Sequence, residues 1–328
     1  MIIIIMDFSI EILQNILKYN DYDHLINTCA YVNKDWNKII NDKYFLIQIC
    51  EEKIINYPKL SEKLSINELT LCKNVLLGNM NSDSEILVRA ESASSMDNSL
   101  QHPAFTLIRE GFWSSKGTEN KNTNDFLQYN LEIDAVLIKK ISFNFFKAFW
   151  LGVINPTENR KYPIFSSKSV SIDIFDNNNK IIYQNNNIDV EDSNKEQGFI
   201  LEKPIFILKN YKIRINLIGK VEVQTSDMKY YCCIENLRIY GTILPYRISN
   251  LKKLEIIPFD ELKKNYDEYK LLLEETYIYY KFVHFYNLER LLINSFDNFV
   301  KSARLYRQGM DDQYNDLLHQ LIEENRIS

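Results

Sequence analysis

Glycine, proline and histidine are scarce in this sequence of 328 residues, with 8, 7 and 4 residues respectively. Collagen-like chains and Gly/Ser linkers are therefore excluded, because both need far more glycine. Basic residues are not in excess either, since the formal net charge is -5. We therefore expect no nucleic-acid partner, which would call for a basic surface. No stretch approaches the ~20 consecutive apolar residues that a spanning helix needs, so we expect no membrane span.

Cysteine is present in an odd number, without a C-x-x-C pair and with two cysteines adjacent. This usage indicates free thiols in a reducing compartment. The apolar start Met1–Met6 is short, lacks a basic region and runs into Asp7, unlike a secretory signal. We expect a cytoplasmic and/or nuclear protein. The cysteines are Cys29, Cys50, Cys72, Cys232 and Cys233.

Catalytic and metal-binding signatures are also missing. The histidines lie far apart, and no H-E-x-x-H, G-x-S-x-G or glycine-rich phosphate loop occurs. Asp173, Asp176 and Asp189 could bind Ca²⁺, but isolated carboxylates of this kind are more often simply solvated. Cys232 and Cys233 have no base partner in the sequence, which favours buried strand cysteines. We expect no catalytic residues, no cofactor and no metal, so a hydrolytic enzyme is disfavoured.

Hydrophobic residues make up 45% of the chain and aromatic residues 13%, which is ample material for a core. Residues 7 to about 80 show helical spacing. Ile12, Leu13, Ile16 and Leu17 indicate a first helix. A second helix is expected to carry Leu25, Ile26 and Cys29, and a third Trp36, Ile39 and Ile40. Further helices are expected near 43–56 and 66–77.

The middle of the chain changes to a period of two, as in Ile213, Ile215 and Leu217. Such alternation is typical of half-buried strands. Many strands separated by polar turns, without intervening helices, predict an antiparallel sandwich or jelly roll. The candidate strands are 86–90, 126–132, 137–146, 170–174, 200–208, 212–217 and 237–241.

The last region lacks proline and glycine between Phe259 and Gln308, which predicts helix. We expect a break near Asn294 and Ser295, giving a helical pair. Its aromatic stripe, around Tyr277 to Tyr286, either packs on the protein itself or forms a groove for a partner.

The N-terminal segment resembles an F-box. Phe8-Ser9-Ile10-Glu11-Ile12-Leu13, then Ile16-Leu17, Asp23-x-Leu25 and Val32-Asn33-Lys34-x-Trp36 follow the family's spacing. The departures are Phe8-Ser9 for Leu-Pro, Asn33 for cysteine, and His24 between Asp23 and Leu25. The resemblance implies docking on a Skp-type adaptor that links to a cullin scaffold and its RING ubiquitin ligase. The residues it implies for this contact are Phe8, Ile12, Leu13, Ile16, Leu17, Leu25, Val32, Lys34 and Trp36.

A three-helix module of about forty residues cannot bury all of its apolar surface by itself. Part of that surface should therefore remain available to another protein. The alternative is that these helices merely cap the larger domain.

A second resemblance covers residues 85–245. Trp113-Ser114-Ser115-Lys116-Gly117 is similar to a motif of plant-type F-box proteins, and Phe145–Phe149 and Pro163–Val170 resemble two further segments of them. The region also looks like discoidin-like or galactose-binding-like jelly rolls, whose last strand ends in an aromatic-glycine pair, here Tyr240-Gly241. One interpretation gives Trp113, Ser114, Ser115 and Lys116 a substrate-binding role. The other makes Trp113 a core residue and the serines turn-forming, with Lys116 the most exposed.

Together these features predict an α+β multidomain protein. We expect an F-box at 7–45, a helical linker at 46–84, an antiparallel, galactose-binding-like β-sandwich at 85–245 and a C-terminal helical region at 258–328. The predicted function is a non-catalytic adaptor of an SCF-type ubiquitin ligase. Its partners would be a Skp-type adaptor, a cullin scaffold and an unknown protein or glycoprotein substrate. The alternative is a glycan- or lipid-binding module with a structural helical N-terminus.

Overall fold

The computed structural model describes residues 10–18, 24–25, 28–32, 34–57, 84–98, 101–108, 111–151, 162–244, 246–248 and 254–256. The helix expected at 66–77 and the helical pair expected at 258–328 lie outside these residues. Among the described residues, none of the helices reaches the length and apolarity that crossing a bilayer requires.

The N-terminal part is helical. Helix α1 spans Ile10–Lys18, a 3₁₀ turn spans Cys29–Tyr31, α2 spans Lys34–Ile40 and α3 spans Lys43–Lys53. The carboxylate of Asp42 caps α3 by accepting hydrogen bonds from the backbone N–H groups of Tyr44 and Phe45, both at 3.0 Å. The buried apolar side chains of these elements form one cluster: Leu13, Leu17, Leu25, Cys29, Ile39, Ile40, Phe45, Leu46 and Ile49.

The middle part is built from two antiparallel sheets. The five-stranded sheet has the order β1-β11-β5-β9, with β3 also paired to β11. These strands are β1 Ser84–Glu85, β3 Phe112–Ser114, β5 Ala135–Phe145, β9 Gln197–Leu208 and β11 Cys233–Ile243.

The six-stranded sheet has the order β2-β4-β10-β6-β7, with β8 also paired to β6. Its strands are β2 Val88–Ala93, β4 Asp125–Leu131, β6 Ser169–Phe175, β7 Ile181–Gln184, β8 Ile188–Asp189 and β10 Lys212–Ile218. A separate hairpin pairs β12 Tyr246–Ile248 with β13 Leu254–Ile256.

Inward side chains from both sheets meet in a single apolar cluster, which includes Trp113, Tyr129, Phe143, Ile172 and Ile213. The predicted antiparallel β-sandwich is therefore confirmed. Each strand predicted from alternation has a counterpart. The short strands β1, β3, β7, β8, β12 and β13 were not predicted, because two to four residues are too few to establish a period of two.

The end of the sandwich differs from the expectation that the last strand ends at Tyr240-Gly241. Strand β11 continues to Ile243, and its pairing with β5 shifts register between these two residues. A Cβ atom on Gly241 would collide with the backbone carbonyl of Leu137 on β5. This glycine therefore allows a close backbone approach inside the strand and does not mark its end.

Helix α3 joins the two parts. Cys50 and Ile54 pack against Ala135, Leu137 and Phe206 of the sandwich. The N–H of Ile55 donates to Pro204 O, and the N–H of Phe206 donates to Ile55 O, both at 2.9 Å. Residues after α3 thus cover the edge of β9. The domain boundaries stay predictions, but α3 runs continuously through residues 45–46, where one of them was expected.

Candidate functional site

The residues predicted to contact an adaptor divide into two groups. Leu13, Leu17 and Leu25 are 7%, 0% and 0% exposed and belong to the N-terminal core. Val32 is 57% exposed, and Ile12 and Lys34 are also exposed, whereas Trp36 is half-buried. Phe8 and the side chain of Ile16 lie outside the described part of the chain. The role of all nine residues in binding remains a prediction.

The structure adds exposed apolar side chains that the motif did not single out. Ile10 is 64% exposed and Tyr31 is 81% exposed. Tyr44, at the start of α3, is exposed as well. The sequence hinted only weakly at Ile10, because this aliphatic residue occupies a variable position of the motif. Beside Tyr31 runs an open groove of about 520 Å³, lined by Ala30, Tyr31, Lys34, Asn37 and Lys38.

Helix geometry explains the division in α1. Leu13 and Leu17 are four residues apart, so they lie on the same face and point into the module. Ile12 lies one residue, about 100°, away from Leu13 and therefore leaves that face. A helix with apolar residues on more than its buried face presents them to solvent or to a partner.

The Trp113–Gly117 motif points mostly inward. Trp113 is fully buried, and its indole N–H donates to the backbone carbonyl of Ser95 at 3.0 Å. Ser114 is buried and accepts a hydrogen bond from the thiol of Cys233 at 3.2 Å. Lys116 is the exposed member of the motif, as expected. These contacts fit the structural interpretation of Trp113 and the serines, and their role toward a substrate stays a prediction.

Ser115 is part of a buried polar network. Its hydroxyl oxygen accepts from the N–H of Cys232 and from the ammonium of Lys220, both at 3.0 Å. Lys220 is 1% exposed, and its ammonium also lies 3.0 Å from a carboxylate oxygen of Asp125. The same ammonium donates to the carbonyl of Lys116 at 3.1 Å. A buried charge is tolerated when it is paired and hydrogen-bonded in this way.

Asp125 is held from its other side. Its second carboxylate oxygen accepts from the hydroxyl of Ser94 at 2.6 Å and from that of Ser95 at 2.9 Å. Ser95 in turn accepts from the N–H of Lys116 at 3.0 Å. Three separate segments are thereby tied together at one end of the sandwich. Sequence reasoning missed Asp125 and Lys220, because they are far from the motif and from each other along the chain.

A steric contact explains why the last residue of the motif, Gly117, is a glycine. A Cβ atom there would lie 2.5 Å from the ring of Tyr231. Tyr231 is nearly buried, and its hydroxyl donates to Asp227 at 2.6 Å. The ring is therefore fixed from two sides, and the motif needs glycine at this position.

The cysteines considered as nucleophiles and the aspartates considered as Ca²⁺ ligands lie in surroundings that suit a structural role. Burial raises the pKa of the Cys233 thiol to about 12 and that of the Cys232 thiol well above its usual value, so neither supplies a thiolate at neutral pH. The carboxylate of Asp176 accepts backbone N–H groups of a turn, and Asp173 accepts from Asn216 at 2.8 Å. Within the described residues, no group of three or more potential metal ligands comes together.

Comparisons with known proteins give one sequence relative and several solved structures. No family model matches the chain. The sequence is 23% identical over 184 residues to an F-box protein of Arabidopsis thaliana. That match covers 47% of this chain and 46% of the relative, so it spans less than half of the relative's length.

Two of the similar structures are carbohydrate-binding modules. One is the family 32 module of Clostridium perfringens NanJ in complex with galactose, with 18% identity and a TM-score of 0.35 over 48% of this chain and 99% of that chain. The other is a chitosan-binding module of a Paenibacillus chitosanase/glucanase, with 10% identity and a TM-score of 0.32 over 48% and 95%. TM-scores this low support no argument about a ligand.

The sequence relative is a member of the family that the N-terminal motif resembles.

Proposed function

We propose that this protein is the substrate-recognition adaptor of an SCF-type cullin–RING ubiquitin ligase. Its N-terminal helices would dock on a Skp-type adaptor, and its sandwich would hold the substrate. The proposal rests on the F-box resemblance of residues 8–36, the F-box relative and the surface of the N-terminal helices. We place the protein in the cytoplasm and/or the nucleus, where these ligases act.

The observation that carries the proposal is the unequal exposure of the apolar side chains in the N-terminal helices. Leu13, Leu17 and Leu25 complete the module's own core, whereas Ile10, Tyr31 and Val32 are more than half exposed. Exposed apolar residues scattered singly are ordinary, but several on one small module indicate an interaction surface. Lys34 and Lys38 line the adjacent groove and supply a polar rim.

The connection between the two parts suits an adaptor. Helix α3 contributes Phe45, Leu46 and Ile49 to the N-terminal core and Cys50 to the sandwich contact. A continuous helix followed by backbone hydrogen bonds to β9 fixes the module relative to the sandwich. The mechanism would be proximity: tethering raises the effective concentration of the substrate near the transfer enzyme, and other subunits perform the chemistry.

Binding of the purified full chain to a purified Skp-type adaptor, measured by calorimetry, tests the proposal. We expect Ile10→Asp and Val32→Asp to weaken binding at least tenfold, because each places a charge in an apolar interface at a cost of about 2 kcal/mol or more. Ile200→Asp is the matched control, since Ile200 is even more exposed, at 81%, but lies on β9 of the sandwich. It should leave the affinity unchanged.

Absence of binding by the wild-type chain would reject the proposal, as would equal losses in the control and the test variants. Leu13 and Leu17 are unsuitable for this test, because aspartate at a buried position unfolds the module and abolishes binding for a different reason. The alternative, a glycan- or lipid-binding module, remains a prediction. A glycan array with strong selectivity, together with no adaptor binding, would favour it.

A further inference from the structure

An aromatic surface lies at one end of the five-stranded sheet, outside the main core, where the half-buried Phe112 and Phe146 pack against a small cluster that includes Phe165 and Tyr231. The rings of Phe112 and Phe146 stack in parallel with centroids 3.9 Å apart. The ring of Trp150 lies 5.5 Å from Phe146 and 6.3 Å from Phe112. Trp150 is 65% exposed, in contrast to the buried Trp113. Large aromatic side chains left in solvent are typical anchors for a binding partner.

A carboxylate stands directly beside these rings. In the antiparallel pairing, Glu235 of β11 lies opposite Phe112 of β3 and opposite Asn144 of β5. Their neighbours Trp113, Ile234 and Phe145 are fully buried in the core. Because side chains alternate along strands, Phe112, Glu235 and Asn144 all point to the outer face. Directly opposed residues have Cβ atoms about 5 Å apart, so the carboxylate adjoins the aromatic stack.

Glu235 differs from several other carboxylates of the outer sheet surfaces, which form ion pairs. Glu85 pairs with Arg238 at 2.8 Å, Glu91 with Lys212 at 2.8 Å, and Glu196 with Lys140 at 3.3 Å. Glu235 has no ion pair with any residue in the described ranges. Burial raises the pKa of this carboxyl more than a side-chain hydrogen bond from Asn194 lowers it, so the fold holds its charge at a cost.

The basic residue nearest to Phe146 along the chain is Lys147, and its ammonium contacts other aromatic rings. The ammonium of Lys147 lies 5.6 Å from the centroid of the Phe149 ring and 5.7 Å from that of Tyr162. The Phe112, Phe146 and Trp150 rings have no such cation among the described residues. This part of the surface thus combines the exposed ring of Trp150, beside the half-buried Phe112 and Phe146, with a carboxylate that has a hydrogen bond from Asn194 but no ion pair among the described residues.

We propose that the surface formed by Phe112, Phe146, Trp150 and Glu235 docks an arginine or lysine side chain of a partner protein segment. The cation would lie against the aromatic rings and form an ion pair with the Glu235 carboxylate. A saccharide fits less well, because the amide of Asn144 already donates to Asn194 O at 2.9 Å and the unmet requirement is for positive charge. If the partner segment belongs to the adaptor's substrate, this inference rests on the proposed function. The binding of a basic peptide can nevertheless be measured without the Skp-type adaptor.

The experiment uses the purified full chain and a phage-displayed library of random peptides, with the Glu235→Gln chain as counter-selection. We expect the enriched peptides to share one arginine or lysine. The affinity of a synthetic consensus peptide should fall about tenfold with Trp150→Ala, with Glu235→Gln, and when glutamine replaces its basic residue. Glu202→Gln and Tyr44→Ala, which change an exposed carboxylate and an exposed aromatic ring elsewhere, should leave it unchanged.

Three results would overturn this inference: no enrichment, enrichment of peptides without a basic residue, or affinity insensitive to Glu235→Gln. Selective glycan binding that Trp150→Ala abolishes, without basic-peptide binding, would instead assign a saccharide to the same surface. Adaptor binding is measured on the same variants, to separate the two proposals. Trp150→Ala and Glu235→Gln should retain it, and Val32→Asp should lose it while still binding the peptide.

Discussion

The N-terminal helices and the Trp113–Gly117 segment were both recognised by short motifs, yet they use their motif residues differently. In the helices, the motif residues alternate between the core and the surface, so Leu17 is fully buried and Val32 is exposed. In the sandwich, Trp113, Ser114 and Ser115 are buried and only Lys116 reaches solvent. A motif therefore marks residues that matter, but their exposure decides whether they serve the fold or a partner.

The strongest test of the inward role targets the buried ion pair. Lys220→Met should lower the free energy of unfolding by about 3–5 kcal/mol, because Asp125 would be left buried without its cation. Chemical denaturation followed by tryptophan fluorescence measures this, since Trp113 lies in the adjoining core. Lys116→Met, at the exposed position of the same motif, should change stability by less than about 0.5 kcal/mol. Equal effects of the two variants would contradict the distinction.

The N-terminal helices should show the same contrast between a buried and an exposed motif residue. Leu17→Ala removes a fully buried side chain and should cost about 2–5 kcal/mol of local stability. Val32→Ala should cost less than about 0.5 kcal/mol, because Val32 is mostly exposed. Amide hydrogen exchange of α1 and α2 reports on the module separately from the sandwich. A large loss of protection in Val32→Ala would mean that this side chain serves the fold.

The glycine of the sandwich motif provides a steric test. Gly117→Ala should destabilise the protein by about 1–3 kcal/mol, because the new methyl group meets the fixed ring of Tyr231. Gly198→Ala is the control: its methyl group would meet only the flexible end of the Lys140 side chain. Thermal unfolding of both variants measures the difference. A larger effect at Gly198 would show that strand conformation, and not the Tyr231 contact, sets the cost.

The smallest effect is expected for Glu235. Its pKa is raised in the fold, so the neutral acid is favoured and stability is lost as pH rises through that value. Glu235→Gln should therefore be slightly more stable than the wild type at neutral pH. The gain should stay below about 1 kcal/mol, because solvent screens a half-exposed carboxylate. The gain should disappear in acid, where both side chains are neutral. Unfolding curves at several pH values measure it, and a gain that persists in acid would contradict this explanation.

Much of the fold could be predicted from local patterns. The strands β4, β5, β6, β10 and β11 contain an apolar alternation long enough to be recognised, and β9 contains two apolar runs, 199–201 and 205–208. Helix α1 was visible from the spacing of Leu13 and Leu17. The order of strands within the two sheets was not predicted, because pairing depends on contacts between distant segments. Gly241 shows the same limit: its neighbour Leu137 is on another strand.

By itself, the sequence determined the first helix and the long strands of the sandwich, and it indicated an F-box-like start. Those features follow from the spacing of apolar residues, which is a local property. Only the tertiary structure decided that Asp125 and Lys220 meet beneath Ser115, and that Trp150 and Glu235 share one outer surface with Phe112. Each of these groups joins residues from different strands and loops, and their burial and charge acquire meaning only when the chain brings them together.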